Sequence, residues 1–370
     1  MKRIISFLIV LTMVSALSLS LASCGKEEES TIETRATYTR DLEGTVLNVY
    51  NWAEYISDGS EDSLDVNAEF EKLTGIKVNY SMYESNEVMY SKLKSGSVSY
   101  DVIIPSDYMI ERLKNENMLK EVDFSKITNY DLIDSRYKGL YYDPDQKYSA
   151  AYNVGYLGLI YNPTMVDETP DSWGIMWNEK YKDQVLNIDN PRDGFLIAQV
   201  MAGVDVNSEN TADWDKAGEL LRTLDKNIQG YVMDQVFNKM EQGNAAIAPY
   251  YAGDFLTMKE ENEDLEMVYP KEGTNIFVDA VCIPDTAKNY EAALMYMNFL
   301  LEPEIALANA EYIRYASPNT SVLTNPDYSL ADNEYLYPKN IDEIKSFYYH
   351  DLSPETLKYY EELWQKIKSE

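Results

Sequence analysis

Short β-branched runs alternate with stretches of helical period along most of the 370-residue chain, as parallel sheets covered by helices require. Thr45 to Tyr50 reads as a first strand. Between Asp62 and Leu73 the apolar Leu64, Phe70 and Leu73 stand among charges, and Gly75 falls where a helix C-cap belongs, ahead of a strand over Ile76 to Tyr80. That is one βαβ unit. The alternation continues through a helix from Asn86 to Ser95, a strand from Asp101 to Pro105 and a helix after Ser106, so the first lobe is expected to be α/β. A glycine-interrupted strand, Leu157 to Tyr161, opens new material with helices near Phe195 to Ala202 and Thr211 to Asp225 and a short strand at Ala245 to Pro249. This reads as a second lobe. Phe277 to Pro284 is strand-like again, and Tyr290 to Leu301 and Glu304 to Tyr312 predict two helices, with Pro303 in a first-turn position.

The N-terminus follows a different pattern. Lys2 and Arg3 precede an apolar run from Ile4 to Leu17, which ends at Leu21-Ala22-Ser23-Cys24. This is the form of an export signal closing on the cysteine that receives lipid in bacterial lipoproteins. Residues 1–23 are expected to be removed, Cys24 to carry lipid, and residues 24–44 to form a flexible tether. The protein then sits lipid-anchored on the outer side of the cytoplasmic membrane, at the cell surface or in the periplasm. An ordinary secretory signal with a chance cysteine is the competing reading, and it also exports the chain. The remaining length exceeds what one hydrophobic core organises, so two lobes are expected. With Cys24 lipidated, Cys282 is the one thiol left and no intramolecular disulfide forms.

A formal charge of −31 makes nucleic acid and anionic headgroups poor partners. The 32 tyrosines suit recognition of amphipathic small molecules, because each phenol has an apolar face and a polar tip. Signs of catalysis are thin. One histidine, His350, cannot build a multi-histidine metal centre, and no phosphate-cradling loop, dinucleotide fingerprint or Cys-x-x-Cys is present, so no cofactor or metal is expected. A carboxylate-based glycosidase is a weak competing reading. Four segments following strands each offer a ring and an acid: Trp52-Ala53-Glu54-Tyr55, Ser106-Asp107-Tyr108, Tyr250-Tyr251-Ala252-Gly253-Asp254 and Phe277-Val278-Asp279. In open α/β sheets such residues face the ligand crevice. Carboxylates for charged ends and rings for a methylene stem suit an alkyl ammonium.

At these residues the chain resembles the substrate-binding components of bacterial spermidine/putrescine ABC importers. The similarity covers nearly all of the chain after Cys24. It is dense at Tyr50-Asn51-Trp52-Ala53-Glu54-Tyr55, Thr74-Gly75-Ile76-Lys77-Val78, Tyr83-Glu84-Ser85-Asn86-Glu87, Tyr269-Pro270-Lys271-Glu272-Gly273 and Ser317-Pro318-Asn319. The resemblance implies a two-lobed periplasmic-binding-protein-like fold with crossing hinge strands, a cleft closing on a polyamine, delivery to a membrane permease, and no catalysis. Residues 45–157 plus 279–323 then form lobe 1, and 158–278 plus 324–370 form lobe 2. It also implies roles by position. Trp52 and Tyr55 match cleft aromatics with Glu54 the acid between them, and Ala53 replaces a small hydroxyl residue. Ser106 and Tyr108 match the first-lobe wall, and Tyr251 stands in for a tryptophan. Asp254 matches an acid of putrescine-type members, and Asp193 an acid of spermidine-type members. Phe277 and Asp279 match the aromatic and carboxylate that grip an ammonium, and Tyr315 matches a tyrosine. Asn190, beside Asp189, replaces a second acid, and His350 aligns loosely with a polar cleft residue. The mixture leaves putrescine and spermidine both as expected ligands. A binder of another small cation or a peptide, and a ligand sensor, are the alternatives.

Overall fold

The computed structural model describes residues 30–339 and 343–370, so Cys24 and the signal segment lie outside the described residues. In chain order, the first half contains β1 (Val46–Trp52), α1 (Val66–Thr74), β2 (Lys77–Tyr83), α2 (Asn86–Ser95), β3 (Val102–Ile103) and α3 (Asp107–Asn115). Strand β4 (Ser149–Tyr161) leads to β5 (Val185–Ile188), α4 (Pro191–Ala202), α5 (Thr211–Asp225), β6 (Ile228–Val232), α6 (Gln235–Glu241), β7 (Ile247–Tyr251), α7 (Ala252–Glu261) and β8 (Glu266–Val268). Strand β9 (Thr274–Cys282) returns the chain, followed by α8 (Tyr290–Leu300), α9 (Pro303–Ile313), α10 (Thr320–Leu323), β10 (Ser346–Phe347) and α11 (Pro354–Ser369).

One sheet runs β2-β1-β3-β9-β4-β7-β5-β6. Strand β1 is parallel to β2 and β3, and β7, β5 and β6 are parallel to one another. Between these two parallel blocks lie β4 and β9, which are antiparallel. Ser149 to Tyr156 of β4 pairs with β9, while Leu157 to Tyr161 pairs with β7. A single strand thus belongs to both halves. All thirteen residues of β4 are buried, so it lacks the polar-apolar alternation of a half-exposed strand. This is why periodicity picks out only its second part.

Each half has its own aromatic core. Phe70 of α1 meets Tyr296 and Phe299 of α8 at 5.0 and 5.2 Å in the first. In the second, Trp214 of α5 stacks on Tyr360 of α11 at 4.7 Å, and Trp364 of α11 lies 5.6 Å from Phe195 of α4. The C-terminal segment reaches back to the first half: Arg112 of α3 pairs with Asp351 at 2.8 Å, and Glu111 accepts from the Asp351 amide at 2.8 Å. The two halves therefore meet across the cleft.

Helix α1 starts later than Asp62 because the Asp65 side chain caps it, accepting from the Ala68 amide. Helix α4 starts earlier than Phe195. Asn190 accepts from the Arg192 and Asp193 amides and Pro191 occupies the first turn, which places Asp193 in that turn as well.

Residues 30–44 lie against the first half. The fully buried Glu302 carboxylate accepts from the Arg35 amide at 2.6 Å, the Ala36 amide at 2.9 Å and the Tyr38 hydroxyl at 2.8 Å. Ser30 donates to Glu69 at 2.6 Å, and Arg35 grips Asp131 with both terminal nitrogens at 2.5 and 2.7 Å. Polar composition suggests a tether, and it cannot disclose an acceptor 264 positions further along the chain. Replacing Glu302 by Ala strands three donors and is expected to lower stability by about 2–3 kcal/mol. Urea unfolding checks this, and an unchanged midpoint would refute the role given to the arm.

Candidate ligand-binding site

Strand ends deliver the site. β1 runs on through Trp52, and the turn beyond holds Glu54 in the left-handed region at φ 52°, leaving Glu54 exposed while Tyr55 turns inward and is buried. The Tyr55 hydroxyl donates to Asp279 Oδ2 at 2.5 Å. Asp279 lies on β9, where the two halves join, and Ser106 bridges to it through the backbone. Its other oxygen, Oδ1, is buried and has no hydrogen-bond partner.

From Tyr55 a row of rings crosses into the second half. Tyr315 lies 5.7 Å from Tyr55, Phe277 lies 6.1 Å from Tyr315, and Tyr251 lies 5.6 Å from Phe277. Two glycines make the row possible. A Cβ on Gly155 would fall 2.1 Å from the Phe277 ring, and one on Gly253 would fall 2.3 Å from Tyr315. Tyr315 donates to Asp254 at 2.9 Å, and Tyr251 donates to Asp193 Oδ2 at 2.7 Å. The row therefore carries Asp279 at one end, Asp193 at the other and Asp254 between.

Burial pushes the Asp279 carboxyl up to about 6 against the pull of the nearby Ser106 and Tyr55 hydroxyls. It pushes Asp254 up to about 7, with Tyr315 opposing and the charges of Asp234 and Glu54 adding to the rise. Asp193 is also raised by burial, opposed by the hydroxyls of Tyr251 and Tyr349. Burial keeps Tyr55, Tyr251 and Tyr315 protonated and therefore donors.

The other expected residues make contacts of their own, and not all of them touch this row. Trp52 donates to the Ile104 carbonyl at 2.9 Å and packs its ring on Tyr83. Tyr108 donates to Glu87 at 2.9 Å and accepts from Asn86, with its ring 6.4 Å from Tyr349. Glu54 stands at the rim and acts on Asp254 through its charge. Asn190 caps α4 with its oxygen and donates from its nitrogen to the Tyr251 hydroxyl at 3.4 Å, and Asp189 is ion-paired with Lys368. His350 lies 3.4 Å from Glu111, where the halves meet.

Tyr349 is absent from the sequence-based set, yet its hydroxyl donates to Asp193 Oδ1 at 2.8 Å. It follows a two-residue strand too short to show a period. Tyr152 is also absent from that set. Its hydroxyl donates to the Tyr55 carbonyl at 2.9 Å from the irregular step between Ala151 and Asn153 in β4.

Residues 66–335 match the model of the bacterial extracellular solute-binding proteins. The chain belongs to that family. Its two-lobed fold matches that of related solute-binding proteins. The spermidine/putrescine-binding periplasmic protein of Salmonella typhimurium is 34% identical to it over 325 residues, 87% of this chain and 91% of that one. The putrescine-binding periplasmic protein PotF of Escherichia coli is 30% identical over 351 residues, 90% and 93% of the two chains. Among solved structures, a putative spermidine/putrescine ABC transporter from Listeria monocytogenes superimposes with a TM-score of 0.81 at 37% identity, covering 88% of this chain and 99% of that one.

In the ligand-free solute-binding protein, carboxyls raised to about 6 and 7 hold protons that the unfolded chain has already lost above its ordinary carboxylate range. Their neutral forms stabilise the fold fully below about pH 4, and that contribution is lost as pH rises through the folded values. Stability is expected to decline from about pH 4 to about pH 7, and the Asp254→Asn, Asp279→Asn double variant should flatten the decline. An identical slope for both proteins in denaturant titrations across that range would contradict the assignment.

Proposed function

We propose that the protein captures polyamines, both putrescine and spermidine, outside the cytoplasmic membrane and delivers them to the permease of an ABC importer. The observation that carries this reading is Asp279 Oδ1, a buried acceptor without a donor at the end of a row of aromatic rings. An ammonium supplies the missing donor and the missing charge together. Its methylenes then lie along Tyr55, Tyr315, Phe277 and Tyr251, where ring faces favour a cation and the carbons beside it. The far ammonium meets Asp254 in a short diamine and reaches Asp193 in a longer triamine. Trp52, Ser106 and Tyr108 wall the first-lobe side, and Glu54 draws cations to the rim.

Closure follows from the same contacts. A ligand held by Asp279 and Tyr55 on one side and by Asp254, Asp193 and Tyr251 on the other binds the closed form better than the open one. The closed form is the state offered to the permease. The reading takes residues 1–23 as the export signal and Cys24 as the lipid-bearing residue. It divides the lobes at 45–157 plus 279–323 and 158–278 plus 324–370. Among the described residues no helix is long and apolar enough to cross a membrane.

Titration calorimetry on the Cys24→Ser protein, stripped of ligand by unfolding and refolding, tests the reading. Putrescine and spermidine should each bind one to one, and a neutral sugar should give no heat. Asp279→Asn should weaken binding at least about 100-fold, in line with the roughly 3–5 kcal/mol of a broken buried charge pair. No heat with either amine would redirect the assignment to a peptide or another cation, and unchanged affinity in Asp279→Asn would reject the site.

Because the ammonium holds these carboxylates ionised, binding releases protons. Affinity should therefore rise from about pH 5.5 to about pH 8. Calorimetry in two buffers of different ionisation enthalpy reads the protons released. Equal heats in both buffers at about pH 6.5 would contradict this.

A further inference from the structure

Among the described residues, the partners of the arm at residues 30–38 all lie in the first lobe. Its partners are Glu69 of α1, Asp131, Glu302 just before α9 and Glu304 within it, and Tyr38 sets its ring edge on Phe299 at 5.7 Å. The Glu302 carboxylate is fully buried beneath it, and three donors of the arm converge on that one group. The arm is thus a docked element whose first described contact is made by Ser30.

This contact changes the reach of the anchor. If the free segment ran from Cys24 to the first strand, about twenty residues could extend to roughly 70 Å and let the protein face any direction. With the arm docked, five residues lie between Cys24 and Ser30, and the six Cα–Cα steps between them span at most about 20 Å. The first-lobe face that carries Glu33, Glu69, Glu304 and Asp131 is therefore held near the bilayer. Two of its acids are offset by cations, Asp131 by Arg35 and Glu69 by Lys72, which limits the repulsion between this face and anionic headgroups.

We propose that residues 30–38 orient the protein on the lipid surface. Resting on the reading of Cys24 as lipidated, they turn the first-lobe face around Glu69, Asp131 and Glu304 toward the headgroups. The first lobe is then the fixed lobe and the second swings during closure. Arg112 and Asp351, which pair across the two lobes, are separated and rejoined in that swing.

The test uses lipidated protein in vesicles containing a headgroup-labelled acceptor lipid. Donor dyes are attached at Thr39→Cys, just past the docked stretch, or at Lys226→Cys, at the exposed end of α5 in the second lobe. Cys282 is fully buried and does not compete for the dye. Transfer to the lipid should be several-fold more efficient from position 39 than from position 226. Releasing the arm, by Glu302→Ala or by the milder Arg35→Ala, Tyr38→Phe pair, should bring the two efficiencies together. Polyamine affinity should stay unchanged, because none of these residues lines the cleft. Equal transfer from both positions with the arm intact, in protein that floats with the vesicles, overturns the proposal. Protein that binds polyamine but carries no lipid and does not float overturns it too, by removing the anchor while leaving the ligand reading in place.

Discussion

A buried carboxylate with one oxygen left without a donor is the constraint around which the molecule is arranged. Asp279 lies on a strand shared by the two lobes, its Oδ2 held by Tyr55 and its Oδ1 unpartnered. Such a group is unfavourable in isolation, and burial responds by favouring its protonated form. Asp254 and Asp193 stand under the same pressure, and each of the three accepts a hydrogen bond from a tyrosine hydroxyl. A hydroxyl steadies a carboxylate without neutralising it. As proposed for the ligand site, these acids can then lose their protons beside a cation and keep them when none is bound.

Tyrosine is well matched to this task. The same residue presents a ring toward the middle of the cleft and a donor toward an acid, so Tyr55, Tyr251 and Tyr315 each serve two neighbours. Gly155 and Gly253 admit two of the rings where any Cβ would collide with them. The cleft is therefore shaped as much by what these two positions lack as by what the aromatic positions supply.

Much of this is legible in the sequence where the pattern is local. Helices α2 and α5 lie where periodicity puts them, and the ring-plus-acid segments appear as short strings. Which acid meets which ring is not legible. Tyr251 and Asp193 are 58 positions apart, and Tyr55 and Asp279 are 224 apart. The first part of β4 is hidden for another reason, since a strand buried on both faces loses the alternation that would mark it. Tyr349 is hidden by the brevity of the strand before it, and the docked arm by a composition that suits a linker equally well.

The sharing of β4 and β9 between the lobes has a consequence for the order in which the chain can fold. Strand β3 pairs with β9, and Phe70 packs against α8, so the first lobe draws on residues beyond 280 to complete its sheet and core. A chain made or threaded N-terminus first cannot finish that lobe until about three quarters of its length has emerged, with the second lobe's strands already available in between. Long-range pairing of this kind slows folding. The topology itself therefore delays completion of the fold while the chain is emerging, and a chain not yet folded is one that can pass through a narrow pore.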